Sequence, residues 1–134
     1  VTFGSMPFEP HVDLPGLVAE TARQLKTRVI VIKGWGMDVT PRLERHKDVL
    51  VLDSAPYDAL FPHVQAVVHH GGIGTTAQCL RAGKPMLVCP VLYPVGDQQF
   101  WGDQAVKKGV GVKPLPVEKI TCESFLNSVA QLLC

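Results

Sequence analysis

The sequence predicts an α/β fold: a parallel sheet of about six strands with helices on both faces. Three observations predict it. Short β-branched or apolar runs recur along the chain, the mark of strands buried on both faces. Between them lie stretches whose apolar residues repeat at helical spacing. Glycines and prolines concentrate in the connections that follow the strands, where α/β sheets place their ligands.

In chain order, Val1-Thr2-Phe3 reads as the opening strand, followed by a glycine turn at Phe3-Gly4-Ser5-Met6. Leu14, Leu17, Val18, Ala22 and Leu25 form the first helical stripe, with Pro10 and Pro15 as start signals. Arg28-Val29-Ile30-Val31-Ile32-Lys33 and Val49-Leu50-Val51-Leu52 read as strands, and Asp58-Ala59-Leu60-Phe61 as a short turn of helix. The strand Ala66-Val67-Val68-His69 precedes a helix expected from Thr76 to Ala82, stopped by Gly83 and Pro85. Met86-Leu87-Val88-Cys89 is the next strand, and Gln98 to Lys108 the next helix, ending well at Lys107-Lys108-Gly109. Gly109-Val110-Gly111-Val112 supplies the last strand. Cys122 to Leu133 supplies the last helix, capped near Thr121 or Cys122, with Phe125, Leu126, Val129, Leu132 and Leu133 inward.

A length of 134 residues fits one domain spanning 1–134, large enough to bury a core without disulfide or metal. Thirteen Lys+Arg against twelve Asp+Glu leave a formal charge of +1, which argues against a nucleic-acid module. No apolar run approaches the roughly 18 residues a membrane helix needs. The start has neither a signal-peptide pattern nor an initiator Met, and reads as an excised piece of a longer protein. Cys79, Cys89, Cys122 and Cys134 lack the gaps of a zinc or redox motif. They read as reduced, packed thiols in a cytoplasmic setting. His69 and His70 are adjacent on a strand and point to opposite faces, so no metal site is expected.

The chemistry concentrates in Ala66-Val67-Val68-His69-His70-Gly71-Gly72-Ile73-Gly74-Thr75-Thr76-Ala77. A buried strand runs through a glycine turn straight into a helix. Glycines let backbone approach a ligand, and the free N–H groups of the first helical turn favour an anion. Thr75 and Thr76 add hydroxyls, and His70 adds a group that titrates near neutral pH. Together these make a phosphate or diphosphate cradle. A tight packing turn is the plain alternative. Gly72-Ile73-Gly74-Thr75-Thr76-Ala77 also matches the dinucleotide pattern G-x-G-x-x-A. That pattern here follows a late strand, and Asp97 opens a helix instead of ending the next strand. On the same rim, Gly96-Asp97-Gln98-Gln99-Phe100-Trp101 offers a carboxylate and an amide that could hold several hydroxyls, as a sugar requires; Asp97 as a simple helix cap is the alternative.

At these residues the chain resembles the C-terminal, donor-binding domain of the UDP-glycosyltransferase superfamily, whose enzymes pair two Rossmann-like domains in the GT-B architecture. The likeness is to the sterol glucosyltransferase and bacterial macrolide branch. It runs through Ala55-Pro56-Tyr57-Asp58-Ala59-Leu60-Phe61-Pro62, His69 to Ala77, Leu80-Arg81-Ala82-Gly83-Lys84-Pro85 and Gly96 to Gly102, and it includes the Phe-Gly-Ser-Met opening. The resemblance implies an inverting, metal-independent hexosyltransferase in which a UDP-sugar is substrate and no cofactor is needed. It places the catalytic base and the acceptor pocket on an N-terminal domain outside this chain, and any membrane contact with the full-length protein. It implies diphosphate contacts from His70, Gly72, Gly74 and Thr75, supported by Ser5. Asp97 and Gln98 would bind donor-sugar hydroxyls, and Ser54, Ala55 and Gln78 would meet the nucleoside. Plant relatives stack uracil on a Trp where this chain has Ser54, and bind ribose with a Glu where it has Gln78. Stacking must then come from elsewhere or be absent, and Gln78 supplies an amide contact or none. Trp35 resembles a sterol-branch segment and reads as packing or interdomain contact. His11, His46 and His63 lie in connections or at polar surface and read as solvated. An N-acetylhexosamine transferase and a non-catalytic nucleotide-binding module are the competing expectations.

Overall fold

The computed structural model describes residues 1–2, 14–32, 47–91 and 96–133. Its helices are α1 (Leu14–Leu25), α2 (Tyr57–Leu60), α3 (Ile73–Ala82), α4 (Gln98–Lys107) and α5 (Cys122–Leu133). Its strands are β1 (Val29–Ile32), β2 (Val49–Leu52), β3 (Val67–His69) and β4 (Met86–Val88). Single turns of 3-10 helix occupy Phe61–His63 and Val117–Lys119.

β1 pairs in parallel with β2, Val29 opposite Val49, and β3 in parallel with β4, Val67 opposite Met86. Thr2 joins the two pairs, bridging Ile32 on one side and His69 on the other. Gly111 bridges Met86 at the far edge. The spatial order is therefore β2, β1, Thr2, β3, β4, Gly111, with every pairing parallel. The chain winds outward in both directions from Thr2, so the order reverses between Thr2 and β3. In a sheet of this kind the ligand crevice opens at that reversal, beyond the carboxyl ends of the strands.

The described residues thus contain four strands and two single-residue bridges at the places expected for the first and last strands. Phe3 lies outside the described residues. At the far edge, the 110–115 backbone runs beside β4, with Met86 N–H bonded to Val110 O and Leu115 N–H to Val88 O. Gly109, Gly111 and Pro114 keep it from a longer ladder, because glycine weakens strands and proline has no N–H to give.

Both faces of the sheet are covered. Leu17, Val18 and Ala22 of α1 and Phe125, Val129 and Leu132 of α5 pack with Val31, Val49, Val68 and Leu87. Phe61, Cys79 and Ala105 pack with Val67, Met86 and Val88 on the opposite face. Neighbours along β4 alternate between the two cores, as a strand's two-residue period requires. That double burial is why the strands read as unbroken apolar runs; Leu50, 55% exposed, sits on the sheet's edge strand. α5 begins with a reciprocal cap in which Ser124 N–H donates to Thr121 Oγ1 and Thr121 N–H to Ser124 Oγ. Among the described residues no helix is long and apolar enough to cross a membrane.

Candidate functional site

The turn from β3 to α3 is built around two histidines with different surroundings. His69 is fully buried; its Nδ1 accepts the Gly71 N–H at 3.0 Å, and its Nε2 lies 3.3 Å from Met86 Sδ. Burial, helped by the nearby His70, pushes its pKa from 6.5 down to about 3, so the ring is neutral at pH 7. Since Nδ1 accepts, the proton sits on Nε2 facing the sulfur. His69 therefore braces the turn from behind.

His70 is only 8% exposed, and burial lowers its pKa as well. Its ring rests against Gly72, where an added Cβ would come 2.6 Å from His70 Nε2. Its Nδ1 is buried and has no hydrogen-bond partner among the described residues. A buried polar atom without a partner costs about 1–3 kcal/mol, so such atoms gather where a ligand completes them.

Gly72 ends the turn in extended conformation and caps α3, which starts at Ile73. The helix begins three residues earlier than the sequence suggested, and Gly74 lies inside its first turn. The earliest N–H groups of that turn have no helical acceptor. The cap residue, Gly72, has no side chain to offer them. A Cβ on Gly74 would meet nothing within 4 Å, so no described residue crowds the helix at that position. Thr75 is buried in the same turn. Thr76 differs from the expectation of a ligand donor: its hydroxyl bonds back to the Gly72 carbonyl at 2.9 Å.

The second turn, before α4, is locked to the first. Gly71 has φ +95°, and a Cβ there would come 2.8 Å from both the Gln98 carbonyl oxygen and Val88 Cγ1. Gln98 is 3% exposed, and its Oε1 accepts the Val91 N–H at 2.7 Å. Asp97 precedes it at the helix cap, exposed, with Oδ2 accepting the Trp101 indole N–H at 3.0 Å. Gln99 donates to Asp103 through Nε2, while its buried Oε1 has no partner among the described residues. Both unpartnered buried side-chain atoms among the described residues, His70 Nδ1 and Gln99 Oε1, thus belong to these two turns.

Ser54 and Ala55 follow β2, three sheet positions from β3, or about 14 Å at the usual strand spacing. Ser54 is exposed and Ala55 half-buried. Gln78 is half-buried on α3, one turn beyond Gly74, and α2, which follows Ala55, packs on α3. His63 is exposed, as expected. Ser5, Trp35, His11 and His46 lie outside the described residues, as do Cys134 and the turn after the first strand. Among the described residues no three His, Cys, Asp or Glu side chains gather as metal ligands. Sequence reasoning missed Trp101, whose link to Asp97 is one helical turn long and was available as an i, i+4 pair. It also missed His69 as the brace of the turn.

The profile of the erythromycin biosynthesis protein CIII-like C-terminal domain matches residues 20–134. A sterol 3-beta-glucosyltransferase of Arabidopsis thaliana is 38% identical over 133 residues, covering 99% of this chain and 21% of the plant protein. O-mycaminosyltylonolide 6-deoxyallosyltransferase of Streptomyces fradiae is 32% identical over 130 residues, 96% of this chain and 29% of its own length. The chain therefore spans about a fifth of the plant sterol glucosyltransferases it matches. In fold it resembles the kitacinnamycin glycotransferase, with TM-score 0.79 and 20% identity over 98% of this chain and 34% of that one. It likewise resembles the glycosyltransferase VinC, solved with dTDP, with TM-score 0.75 and 22% identity over 99% of this chain and 32% of that one. A parallel sheet reversing at Thr2, a glycine turn feeding a helix at that reversal, and a profile match over most of the length agree: the chain belongs to the erythromycin biosynthesis protein CIII-like C-terminal domains of GT-B glycosyltransferases.

Proposed function

We propose that this chain is the nucleotide-sugar-binding part of an inverting hexosyltransferase that moves glucose from UDP-glucose to a hydroxyl of a sterol, lipid or other small apolar acceptor. The observation that carries the reading is His70: a buried imidazole whose Nδ1 has no partner among the described residues, set beside the glycine-capped start of α3. A diphosphate supplies what both lack, since it accepts from the free N–H groups and engages the imidazole. The distance from His70 to Ser54-Ala55 suits an extended ligand, diphosphate at one end and nucleoside at the other. Gly72, Gly74 and Thr75 hold the diphosphate with His70, and Ser5 supports them from the first turn. Asp97 and Gln98 bind the sugar; Ser54, Ala55 and Gln78 meet the nucleoside.

In the reaction the acceptor hydroxyl, deprotonated by a base on the N-terminal domain, attacks the anomeric carbon. The bond to the nucleotide diphosphate breaks with inversion. This chain's share is to hold the leaving group and to stabilise its growing negative charge with the α3 N-terminus and His70. No metal takes part in this scheme, and the isolated chain binds donor without transferring it. The buried free thiols of Cys79 and Cys89 support a reducing, cytoplasmic setting.

Calorimetric titration with UDP, UDP-glucose and NAD tests the reading. UDP and UDP-glucose should bind and NAD should not; preference for NAD, or no binding at millimolar UDP, refutes it. Competition with UDP-N-acetylglucosamine separates the glucose donor from an N-acetylhexosamine. His70→Ala should weaken UDP about tenfold and leave uridine nearly unchanged, because the lost contact is to phosphate. Equal weakening of both would remove His70 from the diphosphate.

A further inference from the structure

Asp97 and Trp101 stand one helical turn apart at the start of α4, with the indole Nε1–H donating to Asp97 Oδ2 at 3.0 Å. The backbone between them is closed as well, Trp101 N–H donating to Asp97 O at 3.1 Å. An Asp at a helix cap ordinarily turns its carboxylate back onto the second or third N–H of the helix. Here it makes no such bond. The carboxylate is held off the helix end by the indole and remains exposed to the rim. Phe100 braces the indole from the side, the rings meeting edge-on with centroids 4.9 Å apart and planes at 72°. Phe100 is itself 51% exposed, so the pair stands at the surface rather than in the core.

We propose that Trp101 is a positioning residue for the donor sugar, its indole N–H fixing the Asp97 carboxylate so that Oδ1 is turned to the sugar's hydroxyls. The proposal rests on the reading of Asp97 as a sugar-binding group. An unrestrained aspartate at a surface samples several rotamers, and each must be abandoned when a ligand is bound. The indole removes that cost before the sugar arrives. It also decides which oxygen remains: Trp offers one N–H and no acceptor, so it occupies Oδ2 and leaves Oδ1 to accept from hydroxyls. The arrangement acts on the sugar alone. The diphosphate contacts belong to α3 and His70, which lie on the neighbouring turn.

Trp101→Phe keeps a ring against Phe100 and removes the N–H. In calorimetric titrations of the 134-residue chain, this variant should weaken UDP-glucose about five- to tenfold and change UDP less than twofold. In an Asp97→Ala background, Trp101→Phe should add no further loss. Equal weakening of UDP and UDP-glucose, or additive losses in the double variant, would overturn the proposal. A second readout leaves residue 101 untouched. The Trp101 indole N–H resonance, assigned by comparison with Trp35→Phe, should shift on adding UDP-glucose and hold its position with UDP. An indole resonance that saturating UDP-glucose leaves in place would also overturn it. A parent chain that binds neither ligand sinks the donor-binding reading and this one together. Binding of both, with Trp101→Phe indistinguishable from the parent, sinks this one alone.

Discussion

The imidazole of His69 accepts from Gly71, faces the sulfur of Met86 and has its pKa lowered to about 3 by burial. In the unfolded chain the same group titrates near 6.5, so unfolding takes up a proton at any pH between the two values. Its contribution to stability is therefore intact above 6.5 and is lost as pH falls below it, by roughly 1.4 kcal/mol per pH unit. At pH 5 the loss from this group alone is about 2 kcal/mol. His69→Asn keeps an acceptor for the Gly71 N–H and removes the titration. Urea unfolding at pH 7 and pH 5 should show the parent losing about 2 kcal/mol more than this variant; parallel losses would place the acid sensitivity elsewhere. His70 could be picked out from the sequence because it adjoins three glycines and two threonines in one short run. The brace at His69 could not, because its second neighbour, Met86, comes from the next strand.

At the level of the element, α3 shows which signals are local and which are not. Its end was legible: Gly83 adopts φ +68° and its N–H bonds to the Cys79 and Leu80 carbonyls. A Cβ at Gly83 would meet nothing within 4 Å, so Gly83→Ala should cost only its backbone strain, about 1 kcal/mol in a denaturation midpoint series. A cost several times larger would mean that the helix end carries tertiary contacts as well. The start of α3 was misplaced by three residues because Gly74 reads as turn. In a first turn, where N–H groups have no helical acceptor, glycine interrupts no bond donated from its own N–H. The start and end of α4 were read closely because Asp97 and Gly109 mark them in sequence. Gly111 at the far edge is a single bridge, since strand length depends on what a neighbour offers and not on an apolar run alone.

Over the whole molecule, one side of the sheet is closed by α1 and α5, with Phe125 at 2% exposure among Val18, Val31, Val68 and Leu87 of the same core. Phe125→Ala should lower unfolding free energy by about 3–5 kcal/mol, read by urea titration. A loss under about 1 kcal/mol would show that α5 is dispensable to the core. Fold class and the alternation of elements were legible from periodicity. The order of strands was not, because Thr2 enters between β1 and β3 through pairings remote in sequence. The same distinction governs the site: the β3–α3 turn is contiguous, while its junction with Gln98 is assembled by the fold. That junction bears on how chimeras of this domain should be cut. Gly71 leaves no room for a side chain under the Gln98 backbone, and Gln98 in turn holds Val91. A graft of 96–101 alone from a relative with another sugar preference would seat a foreign loop on an unmatched partner. Exchanging 69–101 as one cassette carries both halves of the contact, and on the proposed sugar role of Asp97 and Gln98 it is the transplant expected to bring its specificity with it.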